Sequence, residues 1–245
     1  MEGAPITQSI SAHAPVHREK IGLGISLVND KIGITNSLNI NTSYAYIIQT
    51  GAGKLALGLQ AGLVQYKIDF SRIQFSDQVN ETINGNNVSQ LKPAFGGGVY
   101  YYSDKFYVGV SSPRIVSINF RKDTLYNPVF AGHYFLHAGF MFNLGSLFKL
   151  KPSALFKATS GALPQMDINA TLYYKDFLGL GVSYRSFESL TALLQLLISK
   201  KVRLGYAYDY GATGGLQKYN SGSHELLLQL EMSFKKDKII SPRYF

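Results

Sequence analysis

Three stretches of this chain alternate apolar and polar residues so regularly that both their conformation and their surroundings are constrained. Met166, Ile168, Ala170, Leu172 and Tyr174 interleave with Gln165, Asp167, Asn169, Thr171 and Tyr173. Val202, Leu204, Tyr206, Tyr208 and Tyr210 interleave with Lys201, Arg203, Gly205, Ala207 and Asp209. His224, Leu226, Leu228, Leu230, Met232 and Phe234 do the same with Glu225, Leu227, Gln229, Glu231 and Ser233. Successive side chains of a strand point to opposite faces, so each stretch becomes a strand with one oily face and one polar, charged face. The chain turns back about every dozen residues, and strands of this kind joined by turns suit a barrel threaded through a membrane. In such a barrel the apolar face meets lipid and the polar face lines the interior, the reverse of a soluble barrel.

Charged residues make up only 16% of the chain, below the roughly 25% of soluble globular domains. No window approaches the roughly 18 consecutive apolar residues of a membrane helix, and the richest, Leu190–Ser199, is interrupted by Gln195. A barrel needs no such run, because only alternate residues of each strand face lipid. The pattern does not change along the 245 residues, which reads as one domain. Cysteine is absent, excluding a disulfide framework, a thiolate nucleophile and a cysteine-based metal site. The formal charge of +9 is scattered over turns and tail, at Lys149 and Lys151, Lys200–Arg203 and Lys235–Lys238, with no basic stripe among aromatics, so nucleic acid is not an expected partner.

The spacing predicts strands near 5–16, 20–29, 34–49, 54–69, 93–103, 105–117, 132–144, 147–159, 165–175, 177–187, 190–199, 201–211 and 222–234, about thirteen in all. Every second connection is tight: Val16–Lys20, Thr50–Lys54, Ser103-Asp104, Gly145-Ser146, Lys175-Asp176 and Lys200. Those between include the long stretches Ser71–Lys92, Ile118–Gly132 and Gly211–Ser221. Bacterial barrels have short periplasmic turns, so the tight set is expected in the periplasm and the C-terminus with it. Traced backward, the strand near 5–16 also runs inward, and single-chain bacterial barrels have even strand numbers. The expectation is an antiparallel up-and-down transmembrane β-barrel occupying 1–234, with about thirteen strands of an expected fourteen, and a periplasmic tail over 235–245. Met1-Glu2-Gly3-Ala4-Pro5 carries no secretory signal, so the signal and first strand are expected to precede the chain.

Candidate chemistry is sparse. Asp167, Arg185, Lys201, Arg203, Asp209, Glu225 and Glu231 fall on the polar faces of neighbouring late strands, as cross-strand ion pairs that stiffen a wall or as the lining of a selective pore. His133 and His137 flank Phe135 in a strand pattern, where four residues span about 13 Å and two imidazoles cannot share a metal. His224 and Glu225 face opposite ways, and Ser9, Ser11 and His13 share a face without a partnered acid. The glycine pairs Gly22 and Gly24, Gly58 and Gly62, Gly96 and Gly98, and Gly179 and Gly181 clear one strand face for curvature or close approach. No catalytic, cofactor or metal site is expected, and the chain does not read as an enzyme.

Many short motifs, in order, resemble the PorP/SprF family of type IX secretion outer-membrane proteins of the Bacteroidetes. They begin with Gly3-Ala4-Pro5-Ile6-Thr7-Gln8-Ser9-Ile10-Ser11-Ala12-His13-Ala14-Pro15, Gly22-Leu23-Gly24-Ile25-Ser26, Asn29-Asp30-Lys31-Ile32-Gly33 and Ser43-Tyr44-Ala45-Tyr46. Gly132-His133-Tyr134, Ala138-Gly139-Phe140, Lys151-Pro152-Ser153, Phe156-Lys157 and Gln165-Met166-Asp167-Ile168-Asn169 follow. The last are Gly181-Val182-Ser183-Tyr184-Arg185, Gly205-Tyr206-Ala207-Tyr208-Asp209, Ser221-Gly222-Ser223-His224-Glu225 and Ser241-Pro242-Arg243-Tyr244-Phe245. The chain departs from the pattern at its start, where the family has a signal peptide, an Asn-Pro-rich segment and a strand before Gly3. The resemblance implies a non-enzymatic outer-membrane protein of a Gram-negative bacterium. Its implied partners are lipid, other type IX secretion components and a large surface adhesin with a type B C-terminal sorting domain, in some species serving gliding motility. Pro242, Arg243, Tyr244 and Phe245 become a candidate periplasmic contact, because a simple pore has no use for a basic, aromatic handle after its last strand. The competing reading is a passive porin or hydrophobic-solute channel.

Overall fold

The computed structural model describes residues 4–17, 20–70, 87–116, 118–119, 129–186, 189–211 and 222–232. All the elements among them are strands: β1 (Ile6–Val16), β2 (Ile21–Ile32), β3 (Thr35–Thr50), β4 (Gly53–Ile68), β5 (Val88–Tyr102), β6 (Phe106–Arg114), β7 (Ile118–Asn119), β8 (Val129–Phe130), β9 (His133–Phe140), β10 (Phe142–Leu144), β11 (Phe148–Thr159), β12 (Gln165–Tyr174), β13 (Leu178–Arg185), β14 (Ser189–Ser199), β15 (Val202–Gly211) and β16 (Ser223–Leu230). Hydrogen-bonded neighbours follow chain order, β1-β2-β3-β4-β5-β6-β9-β11-β12-β13-β14-β15-β16, with β10 against β11 and β7 against β8 as a separate hairpin. Of the fourteen strands in the large sheet, the thirteen in that order correspond to the thirteen expected, since β9, Met141 and β10 together make the single strand expected at 132–144. The order ends at β1 and β16, whose outer edges have no strand partner among the described residues.

Local chemistry explains the tight reversals. Lys175 and Asp176 both take positive φ, 48° and 57°, which a two-residue hairpin turn of right-handed twist demands. Asp176 is held there by Lys149 Nζ, 2.9 Å from its Oδ2. Gly33 and Gly145, at φ 56° and 75°, turn the β2–β3 and β10–β11 connections without a side-chain clash.

Three expectations need correction. β5 begins at Val88, so the end of the long connection expected over Ser71–Lys92 is strand, and 71–86 lie outside the described residues. β6 stops at Arg114, and the connection that follows, read as an open loop, contains the β7–β8 hairpin. The strict alternation of short and long connections also fails, because the β2–β3 connection is only Gly33 and Ile34, a turn no longer than the tight set.

The strands divide into two compact units. One comprises Met1–Gln49, Leu55–Val99 and Ser111–Tyr134, with a small core of Val64, Tyr66, Ile68, Ala94 and Ile118. The other comprises Thr50–Lys54, Tyr100–Val110 and Phe135–Phe245. In both, one strand face is exposed and oily: Leu23, Ile25, Leu57 and Leu59 in the first, Ile168, Leu180, Val182 and Leu204 in the second. Large apolar side chains exposed in such rows are what lipid contact requires.

Candidate functional site

The inner face of β11–β15 gathers the polar residues of the second unit. Antiparallel register sets Asp167 of β12 directly opposite Leu155 of β11 and Arg185 of β13. Asp167 is 7% exposed, so its carboxylate needs charged partners to offset lost hydration. It has two: Lys157 Nζ lies 2.7 Å from Oδ2 and Arg185 Nε 3.2 Å from Oδ1. The guanidinium continues toward β15, with Nη1 4.0 Å from Asp209 Oδ2, and Thr191 Oγ1 donates to Asp209 Oδ1 at 3.2 Å. One chain of charge-assisted contacts thus crosses five strands, from Lys157 to Asp209, and ties neighbours laterally.

The seven residues singled out from sequence do not form one cluster. Asp167, Arg185 and Asp209 meet as described. Lys201, Arg203 and Glu231 collect beside the β14–β15 turn, where β15 begins and β16 has just ended, lining a small recess with Gln229, and the Glu231 N–H donates to the Lys201 carbonyl at 2.8 Å. Glu225 stands apart on β16, opposite Ala207 and exposed. Pro242, Arg243, Tyr244 and Phe245 lie outside the described residues, as does Phe234.

Lys157 was missed, although its place two residues from the position paired with Asp167 was a diagonal cross-strand signal. Also missed was an aromatic stretch of inner face in the same unit. Tyr100 stacks on His137 with centroids 5.3 Å apart and planes 9° apart, and Tyr107 lies 5.9 Å from Tyr100 and 5.6 Å from His137. Glycines make room for it: a Cβ on Gly139 would sit 2.5 Å from Tyr107 Cε1, and one on Gly109 2.5 Å from His137 Nε2. Tyr173 lies over Gly179 in the same way and donates from its hydroxyl to Gln195 Oε1 at 3.3 Å. Of the two uses considered for paired glycines, close approach applies at Gly179.

The histidines have separate surroundings. His133 Nδ1 is 2.9 Å from the Ala131 carbonyl, while His137 belongs to the aromatic stack. His224 is on the outward face, its Nδ1 hydrogen-bonded to Tyr206 Oη at 2.8 Å. Ser9, Ser11 and His13 pair in register with Val28, Ser26 and Gly24 of β2. Among the described residues the charged contacts therefore run laterally from strand to strand, Lys157 to Asp167 to Arg185 to Asp209.

A family model described as type IX secretion system membrane protein PorP/SprF matches residues 1–230. No curated protein matches the chain.

Proposed function

The chain belongs to the PorP/SprF family of type IX secretion system membrane proteins, which are membrane β-barrels, and on that premise we propose that it helps secrete or anchor a large surface adhesin bearing a type B C-terminal sorting domain. It is an outer-membrane component of type IX secretion, and membership implies contact with other components of that system. The family match over 1–230 is the observation that carries the reading. The ion-paired wall of β11–β15 supports a non-enzymatic scaffold, since its carboxylates are committed to cations rather than poised for proton transfer. The oily outward rows supply the lipid contact.

Deleting the gene in the native host tests the proposal. A type B partner should then disappear from the protease-accessible surface while surface proteins of other export routes stay. Undiminished display of every type B protein overturns it. Within the proposal, Pro242, Arg243, Tyr244 and Phe245 contact periplasmic components. Removing 241–245 should leave the amount of folded barrel unchanged and lower partner display; normal display removes the tail from the mechanism.

A further inference from the structure

In the second unit the outward face changes character as the strands near the tight turns. Away from the turns its exposed side chains are aliphatic: Val108 and Val110 on β6, Ile168 and Leu172 on β12, Leu180 and Val182 on β13. Beside the turns they are aromatic. Tyr101 and Phe106 meet across the β5–β6 turn with ring centroids 5.5 Å apart, and Phe140 and Phe142 meet at 4.5 Å just before the β10–β11 turn. Phe148 and Tyr174, paired in register, meet at 5.2 Å next to the β12–β13 turn. Aromatic side chains gather where hydrocarbon gives way to headgroups, so this row marks the membrane boundary on the tight-turn side.

Lysines follow directly beyond the row. Lys105 precedes Phe106, Lys175 follows Tyr174, and Lys200 and Lys201 form the β14–β15 turn. One residue advances a strand by about 3.3 Å, which sets these ammonium groups at headgroup depth. Lys175 Nζ lies 5.3 Å from the Tyr174 ring centroid, folded back over the boundary row. Lys149 is neutralised by Asp176 at 2.9 Å, whereas Lys105, Lys175 and Lys200 have no carboxylate partner among the described residues. The other carboxylates at these turns are Asp104 and, beside Lys201, Glu231. At the far end of the same strands the described connecting residues, 160–164, 186 and 222, carry no charge. Lysines kept for solubility alone would serve equally at either end.

We propose that the lysine-tipped turns hold acidic phospholipid headgroups of the leaflet they face. Bacterial barrels keep their short turns in the periplasm, so this is the inner leaflet of the outer membrane. A headgroup of net negative charge supplies the anion that these lysines lack, through an attraction that salt screens. The contact rests on the barrel fold alone, so its failure leaves the secretion reading untouched. Protein extracted folded from the outer membrane is placed in phosphatidylcholine bilayers with a trace of chain-nitroxide phosphatidylglycerol or phosphatidylcholine, and spin resonance gives the fraction of each label held at the protein surface. The parent should hold the phosphatidylglycerol label several-fold more strongly at low salt and lose that preference in about 1 M salt. Lys105→Gln with Lys175→Gln and Lys200→Gln should lose a large part of it at low salt. Lys31→Gln with Lys67→Gln, at the ends of β2 and β4 away from the tight turns, should keep it. Equal holding of the two labels by the parent, a preference indifferent to salt, or an undiminished preference in the folded triple variant each overturns the contact. Labels held equally while the turn lysines prove necessary for co-purifying another secretion component assign the turns to an acidic protein face instead, and overturn it too. Where the triple variant fails to fold, the salt series on the parent and Lys175→Gln alone decide.

Discussion

The inner face of β12 carries Asp167, Thr171 and Tyr173, whereas the inner face of β4 ends in Val64, Tyr66 and Ile68. All six are buried, yet their chemistry is opposite. The difference follows what lies on the outward side. Behind Asp167 and Thr171 stand Met166, Ile168 and Leu172, exposed and oily, so the interior there can be wet and charged. Behind Val64 and Tyr66 stand Gln65 and Lys67, so the interior there is a dry core like that of a soluble sheet. An inner face cannot be interpreted without the residues one position along on the other side.

The largest expected effect separates the two stretches most sharply. Val64→Asp puts a carboxylate at the most buried position of the dry core and should cost about 4 kcal/mol in denaturant unfolding of the folded barrel. Gln60→Asp, on the same inner face within the lipid-backed part of β4, should stay within about 1 kcal/mol of the parent. Equal costs would break the comparison. On the charged side, Asp167→Ala removes the carboxylate shared by Lys157 and Arg185, leaving Arg185 with Asp209 at 4.0 Å, and should cost about 2–3 kcal/mol, less than the about 3–5 of fully buried pairs because both cations are partly exposed. Lys157→Ala should cost less than Asp167→Ala, since Arg185 remains on the carboxylate. The smallest effect concerns the aromatic stretch. Gly139→Ala pushes Tyr107 off the wall at about 1–2 kcal/mol, and Tyr107→Ala should relieve part of that, giving a coupling of about 1 kcal/mol in a double-mutant cycle.

The charged wall was legible in the sequence because Gln165–Tyr174 and Val202–Gly211 keep a strict period of two with charges on one side. Register then decided which charges met. Asp167 and Arg185 face each other because the tight Lys175-Asp176 turn fixes the pairing of β12 and β13, but Glu225 finds only Ala207 opposite. The dry core was missed. The alternation slips by one at the adjacent apolar pair Leu63-Val64, after which Val64, Tyr66 and Ile68 carry the apolar face, and that single slip is easily passed over in a strand expected to run over 54–69. Ile118 lay in a stretch taken for open loop, and nothing local in it names Val64 as its neighbour. The glycine and aromatic apposition of Gly109, Gly139, Tyr107 and His137 likewise joins residues distant in sequence, which periodicity cannot detect.

Site-directed single cysteines, each carrying a fluorophore quenched by nitroxide-labelled lipid, test the central claim that lipid backs the polar wall and water backs the dry core. Along β12, quenching should alternate, strong at Ile168 and Leu172 and weak at Asn169 and Thr171. Along β4 it should be strong at Leu57, Leu59 and Leu63 and then vanish at Gln65 and Lys67. Quenching at Gln65 and Lys67 as strong as at Leu59, or alternation of the opposite sense along β12, contradicts the account.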